Sequence, residues 1–332
     1  MQHVRILAVA ALANLLCTFA GGQHPAPTPL TVQLDWKPTA QFAGILVAKQ
    51  QGFYSAEGLD VTILPVDGSN TPSVAKVSAH ANDATGWIGI TEADLLLTEQ
   101  AKGAPVKAFA TMLQTTPFAL LTLKGSGLTT IRSLKGKTIG LHDDGQKAID
   151  VLLGYNGMKR SDITPVTIPY SNQPLLSGQV AAMQGYVIDE AVSLRMEGHP
   201  INVIPMGDNG YVSYAEVLFT PATYLRTHTD ALARFVRATG RGWAYTAAHP
   251  DATAHMIVTK YAPDSTFAEQ RASLLAVLPL LHTESPHFGA MLPNTWARSI
   301  QMFEKYQLTE GKLSARDAVD YSVLKRLYPN TH

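Results

Sequence analysis

Cysteine is almost absent from this chain. The 332 residues contain one, Cys17, and it lies in a stretch that reads as removable. His3 and Arg5 precede an apolar run from Ile6 to Leu16, and Ala20, Gly21 and Gly22 follow. That is the outline of a secretory signal peptide over residues 1–22, with cleavage near Ala20. The apolar run is short for a spanning helix, which needs about 20 residues. Asn14-Leu15-Leu16 ahead of Cys17 lacks the small residues of a lipoprotein processing site. Once the leader is removed, the chain has no thiol, which excludes disulfides, a thiolate nucleophile and a cysteine metal site. An exported chain of this composition is expected in a bacterial periplasm.

Charge is scarce as well. Charged residues make up 16% of the chain, 26 basic against 26 acidic. A neutral balance offers no electrostatic reason to expect nucleic acid or an anionic membrane as partner. The common catalytic signatures are missing too. There is no G-x-S-x-G elbow, P-loop or H-E-x-x-H, and Gly125-Ser126-Gly127 lacks the third glycine of a dinucleotide loop. The eleven histidines are scattered, none in a recognisable metal array with a carboxylate. Asp143-Asp144 reads as a cap on the helix that follows rather than as a cation site. No catalytic residue, metal or cofactor is expected.

What is present is hydrophobic periodicity. In Leu30–Leu64, Leu30, Val32 and Leu34 alternate with polar residues, a strand pattern. A polar break at Asp35-Trp36-Lys37-Pro38-Thr39 precedes Phe42, Ile45 and Leu46 at helical spacing, and Leu59–Leu64 reads as the return strand. Gln23–Pro29 is a proline-rich linker. Further strand patterns fall at 82–90, ending near Trp87, and at 106–112, 118–123, 137–141, 166–168, 182–187 and 202–205, mostly separated by helical stretches. Such alternation implies parallel-sheet α/β architecture. From Pro221 the patterns are helical. The expected organisation is one lobe from residues 30–117 plus 220–332 and a second from 118–219, with chain crossings near Pro117 and Phe219.

Ligands in open α/β sheets bind beyond the carboxyl ends of strands, where helix N-termini point. Asp35, Trp36, Thr39, Gln41 and Phe42 occupy such a place, and Trp36, Trp87 and Tyr186 suit aromatic walls for a flat ring. Polar candidates are Thr91, Gln114, His142, Asn172, Glu190, Tyr211 and Glu216, with Glu92, Asp189, Asp208 and Tyr214 in a wider set. Ionised carboxylates only accept hydrogen bonds, so they suit a ligand with amino donors. The nearest cations to these turns are Lys37, Lys124 and Lys147, which argues against an anionic ligand.

LDWKPTAQFAGILVAKQQGFYSAEGLDVTI at 34–63 resembles the opening of substrate-binding proteins of ABC importers for thiamine-pyrimidine precursors. KGSGLTTIRSLKGKTIGL at 124–141, LLSGQVAA at 175–182 and RFVRATGRGWAYTAAHP at 234–250 extend the likeness over nearly the whole mature chain. The wider group includes taurine, alkanesulfonate and nitrate binders and the fungal thiamine-pyrimidine synthase. The resemblance implies a type II periplasmic binding protein fold, two α/β lobes joined by a two-crossing hinge. It also implies a monomer that closes on a small heterocycle and docks on an inner-membrane ABC permease. The synthase builds its pyrimidine from its own histidine and from pyridoxal phosphate, using iron. Its lysine and histidine lie on the segment matching Gly89–Gly103, where this chain has Thr91 and Leu95, and no cysteine stands near Tyr211–Phe219 for its iron motif. Pyrimidine-precursor binders carry an Asn-His pair where this chain has Gln41-Phe42. Ala40-Gln41-Phe42-Ala43-Gly44 resembles riboflavin-type binders instead, so a flavin is the alternative heterocycle.

Overall fold

The computed structural model describes residues 26–329 except 70, 283–284 and 310–312. The leader therefore lies outside the described residues. Among the described residues ten strands form two sheets. They are β1 (Thr28–Gln33), β2 (Leu59–Leu64), β3 (Gly86–Thr91), β4 (Val106–Leu113), β5 (Phe118–Leu123), β6 (Thr138–Leu141), β7 (Thr164–Thr167), β8 (Ala182–Tyr186), β9 (Ile201–Pro205) and β10 (Ala215–Pro221). Their orders are β2-β1-β3-β10-β4 and β7-β6-β8-β5-β9. The neighbours β2, β1 and β3 run parallel, as do β7, β6 and β8. Helices cover the faces, which is why β4 and β5 read as nearly continuous apolar runs, VKAFATML and FALLTL.

Neither sheet is purely parallel. β10 runs antiparallel to both β3 and β4, and β5 runs antiparallel to both β8 and β9. This moves the second crossing. Residues 215–219, expected in the second lobe, belong to the first sheet, and Phe219 is no hinge. It sits mid-strand, fully buried, with its ring against the Cα of Gly89. The chain changes sheets once between Leu113 and Phe118 and once between Pro205 and Ala215. At the other end, Thr28 and Pro29, expected in the linker, already pair with Leu59 and Asp60. Asp143 does not act as a cap: its side chain accepts no hydrogen bond from the turn that follows.

The opening unit is pinned by glycine. The helix Ala43–Gln50 crosses the long helix Thr229–Ala248 at Gly44 and Gly242. A Cβ on Gly242 would run into the Gly44 carbonyl, and one on Gly44 into the Trp243 ring. At Gly242 backbone meets backbone, so the crossing cannot yield there by rotating a side chain. Gly242→Ala is expected to cost about 1–3 kcal/mol through overpacking. A lower urea midpoint at unchanged slope would show it; an unchanged midpoint would mean the helices part freely.

Candidate functional site

The topology brings matching strand ends together. Asp35 and Trp36 follow the carboxyl end of β1, and Thr91 closes β3 with Glu92 next. Because β10 is antiparallel, it begins at that same end, with Val217 opposite Thr91 and Glu216 one residue before. In the second sheet His142 follows β6, Tyr170 lies just beyond β7, and Tyr186 closes β8. β5 is antiparallel and begins there too, Phe118 facing Tyr186 in register. A cavity of about 440 Å³ lies between these two sets of strand ends, within the range of small-molecule sites.

Aromatic rings wall it. Trp36 contacts Tyr170 with centroids 5.6 Å apart, and Tyr170 contacts His142 at 4.2 Å. Phe118 meets Tyr186 edge-on at 4.6 Å. Of these contacts, Trp36–Tyr170 crosses the cleft, since Trp36 follows β1 and the other rings belong to the second sheet. One hydrogen bond crosses it as well: the Tyr186 hydroxyl donates to Glu92 Oε1 at 2.7 Å.

The polar lining is acidic. Asp35, Asp67, Glu92, Asp189 and Glu190 all line the cavity, against the single ammonium of Lys76, itself 2.8 Å from Asp67. Glu216 is fully buried immediately behind, its Oε1 accepting from Gln41 Nε2 at 2.5 Å. Asp35 is half-buried as a residue, but its Oδ1 is shut off from solvent and has no hydrogen-bond partner; the same is true of Glu216 Oε2. Burial pushes the Asp35 carboxyl up to about 7, opposed by its own backbone N–H. Glu216 is held well above the ordinary carboxylate range by burial first, then by the charges of Asp35 and Glu92, with the Gln41 bond opposing. Proximity of like charges in a dry setting makes each harder to ionise.

Seven residues singled out in the sequence line this cavity: Asp35, Trp36, Gln41, Thr91, His142, Tyr186 and Glu190. Glu216 reaches it through Gln41. Six lie elsewhere. Phe42 is fully buried on the inward face of its helix, in the core. Thr39 is half-buried outside the lining, its carbonyl accepting from Phe42 N–H. Trp87 begins β3 rather than ending it, so it sits at the opposite end from the cavity, stacked on His80 at 3.7 Å. Gln114 is spent on structure, bonding Ser285 and His287 from the first crossing. Asn172 donates to Ser193 Oγ, tying the helix Gln173–Leu176 to Glu190–Met196. Tyr211 is buried with its hydroxyl on Asp94. Of the wider set, Glu92 and Asp189 line the cavity, whereas Asp208 and Tyr214 do not.

Tyr170, Phe118, Lys76 and Asp67 were missed. Tyr170 had the best available signal, an aromatic residue shortly after a strand. Lys76 had none: it sits mid-helix in Ser73–Ala79. It corrects the reading that Lys37, Lys124 and Lys147 are the nearest cations, because none of those three lines the cavity.

A family model described as NMT1/THI5 like matches residues 39–253. The chain belongs to that family. Among curated relatives, a riboflavin-binding protein of Chloroflexus aurantiacus is 26% identical, covering 99% of both chains. A formylaminopyrimidine-binding protein of Halalkalibacterium halodurans is 23% identical over 94% of this chain and 96% of its own. A 4-amino-5-hydroxymethyl-2-methylpyrimidine phosphate synthase of Uromyces fabae is 30% identical, over 64% of this chain and 65% of its own. Among solved structures, the periplasmic aliphatic sulphonate-binding protein SsuA of Escherichia coli superposes with a TM-score of 0.65 at 16% identity, covering 90% of this chain and 92% of that one. This member of the NMT1/THI5-like family thus has the periplasmic binding protein fold, with its cavity between the two sheets. Thr91 and Leu95, the residues that the resemblance sets against the synthase's lysine and histidine, both line that cavity, and a threonine hydroxyl cannot form a Schiff base. The residues at these positions do not fit the synthase's cofactor chemistry.

Proposed function

We propose that this protein is the solute-binding component of an ABC importer. It takes up a flat nitrogen heterocycle bearing N–H donors, foremost a thiamine-related aminopyrimidine. The observation that carries the reading is a lining that joins carboxyl groups to aromatic rings: Asp35 and Glu92 with Trp36, Tyr170 and Tyr186, and Glu216 reaching it through Gln41. An aminopyrimidine edge presents an amine donor beside a ring-nitrogen acceptor. A neutral carboxyl matches that edge with its own O–H and C=O, and a carboxylate matches the protonated ring. Asp35, pushed to about 7, stands between the two forms near neutral pH. A sulfonate or nitrate would meet the same carboxyl groups as repulsion.

The two segments between the sheets, 114–117 and 206–214, serve as the hinge, and the ligand shifts the open–closed balance by its differential affinity for the closed form. The closed form docks on the permease from the periplasmic side, which the leader sequence and the fold both support. Thr91 and Leu95 support binding rather than catalysis. A second reading, riboflavin, has its own support in the full-length relative and in a cavity roomier than one pyrimidine ring requires.

Calorimetric titration with 4-amino-5-hydroxymethyl-2-methylpyrimidine, riboflavin and taurine tests the reading. The aminopyrimidine is expected to bind. Riboflavin binding alone would move the assignment to a flavin, and taurine binding alone would overturn it. Trp36→Ala should weaken the heterocycle on the order of 10-fold, the scale of one lost stacking face; unchanged affinity would remove Trp36 from the wall.

A further inference from the structure

Glu216 does not line the cavity, yet its surroundings are those of a functional group rather than of core filling. Its side chain is fully buried. Its backbone has φ 52°, one of two non-glycine residues in the left-handed region among those described. A residue with a branch-free but long side chain has no local reason to sit there; such strain persists where the surroundings impose it. The β10–β4 register slips just beyond, between Leu218 and Phe219, as the strand recovers its course. The result of this backbone is one contact: Glu216 Oε1 reaches the amide of Gln41, which does line the cavity.

We propose that Glu216 is a positioning residue that sets the pocket's choice between hydrogen-bond donors and acceptors by fixing the orientation of the Gln41 amide. A glutamine amide has two ends of similar shape and opposite chemistry. Glu216 Oε1 accepts from Nε2 of Gln41, and as a carboxylate it can only accept, so it holds that end of the amide. With Nε2 turned to Glu216, the carbonyl Oε1 is the end of the amide left for the ligand, an acceptor beside the one remaining N–H. A ligand group with N–H is then satisfied, and a carbonyl in its place is set against another oxygen. Buried polar mismatch of this kind is where binding sites gain their steepest selectivity.

This assignment rests on the aminopyrimidine reading, and a comparison of two ligands separates the two. The probes are 4-amino-5-hydroxymethyl-2-methylpyrimidine and its 4-oxo counterpart, titrated into the full-length mature protein. The parent is expected to prefer the amino compound by about 100-fold or more. In Glu216→Gln the new amide can either accept or donate, so Gln41 is free to turn over, and the preference should shrink to within about 5-fold, chiefly through tighter binding of the oxo compound. A purely structural role for Glu216 would weaken both ligands alike and leave their ratio intact. Gln41→Leu supplies a second variant with Glu216 in place: it should lose the preference too, and adding Glu216→Gln to it should change the ratio no further. A parent that discriminates together with a Glu216→Gln variant that discriminates equally would overturn the assignment. A parent that binds neither compound would instead overturn the aminopyrimidine reading, and this assignment with it. Should Glu216→Gln fail to fold, the ratio in Gln41→Leu decides: a retained preference refutes the role, a lost one upholds it.

Discussion

Asp35→Asn is expected to weaken aminopyrimidine binding by about 100-fold, roughly 2.7 kcal/mol, while raising the melting temperature of the ligand-free protein at pH 8. The two effects have one origin. Oδ1 of Asp35 is cut off from solvent and unpartnered, so at pH 8 the free protein carries a buried, poorly compensated charge. Removing that charge relieves the folded state. The same carboxylate is what a protonated ring or an exocyclic amine would pair with, and an amide cannot supply a charge-assisted bond. Calorimetry and a thermal melt on one preparation check both halves. A variant that melts higher yet binds within threefold of the parent would take Asp35 out of the ligand site.

The second large effect is on pH. Asp35 titrates near 7 in the folded protein against an ordinary value of 3.8, and Glu216 is displaced in the same direction. Between those limits the folded chain holds more protons than the unfolded one. Stability therefore falls as pH rises from about 4 through 7, and levels off once Asp35 is ionised in both states. Exposed pairs act the other way at the acid end. Glu57 and Asp230, held low by Arg237 and Arg326, lose their contribution as pH falls through their folded values. The ligand-free melting temperature should thus peak near pH 4 and drop by several degrees, on the order of 5 °C, between pH 5 and 8. Asp35→Asn should flatten that slope, and saturating aminopyrimidine should reduce it. Scanning fluorimetry at constant ionic strength reads all three; a melting temperature that climbs from pH 5 to 8 would refute the buried-carboxyl account.

Local periodicity made the first βαβ unit legible. The return strand Leu59–Leu64 appears with the bounds its alternation suggests, and Asp35-Trp36 follow β1 where a strand-end site belongs. β10 was not legible. Its pairing with β3 and β4 depends on residues more than one hundred positions away, and Ala215–Pro221 carries no turn mark that separates it from the preceding lobe. The same limit explains Gln114, whose partners at 285 and 287 lie across the fold. Trp87 failed for a different reason. Alternation says that a residue is in a strand but not which end of it faces the site, and a shift of one strand length moved the ring from the cavity to the far side. Glu216 was singled out as a polar group near a strand end; its left-handed backbone, which aims it at Gln41, has no signature in residue type.

The placement of the four tryptophans has a practical consequence. Trp243 and Trp296 are buried in the core, and Trp87 is stacked on His80 at the far end of β3. Trp36 alone among them touches a ring from the opposite sheet, Tyr170. Trp87 and Trp243 lie away from the cavity and Trp296 packs on Tyr214, so Trp36, which lines the cavity, is the indole that a bound solute would meet directly. A Trp36→Phe variant would isolate that indole's share, and stopped-flow fluorescence of parent and variant would time the proposed closure without a dye.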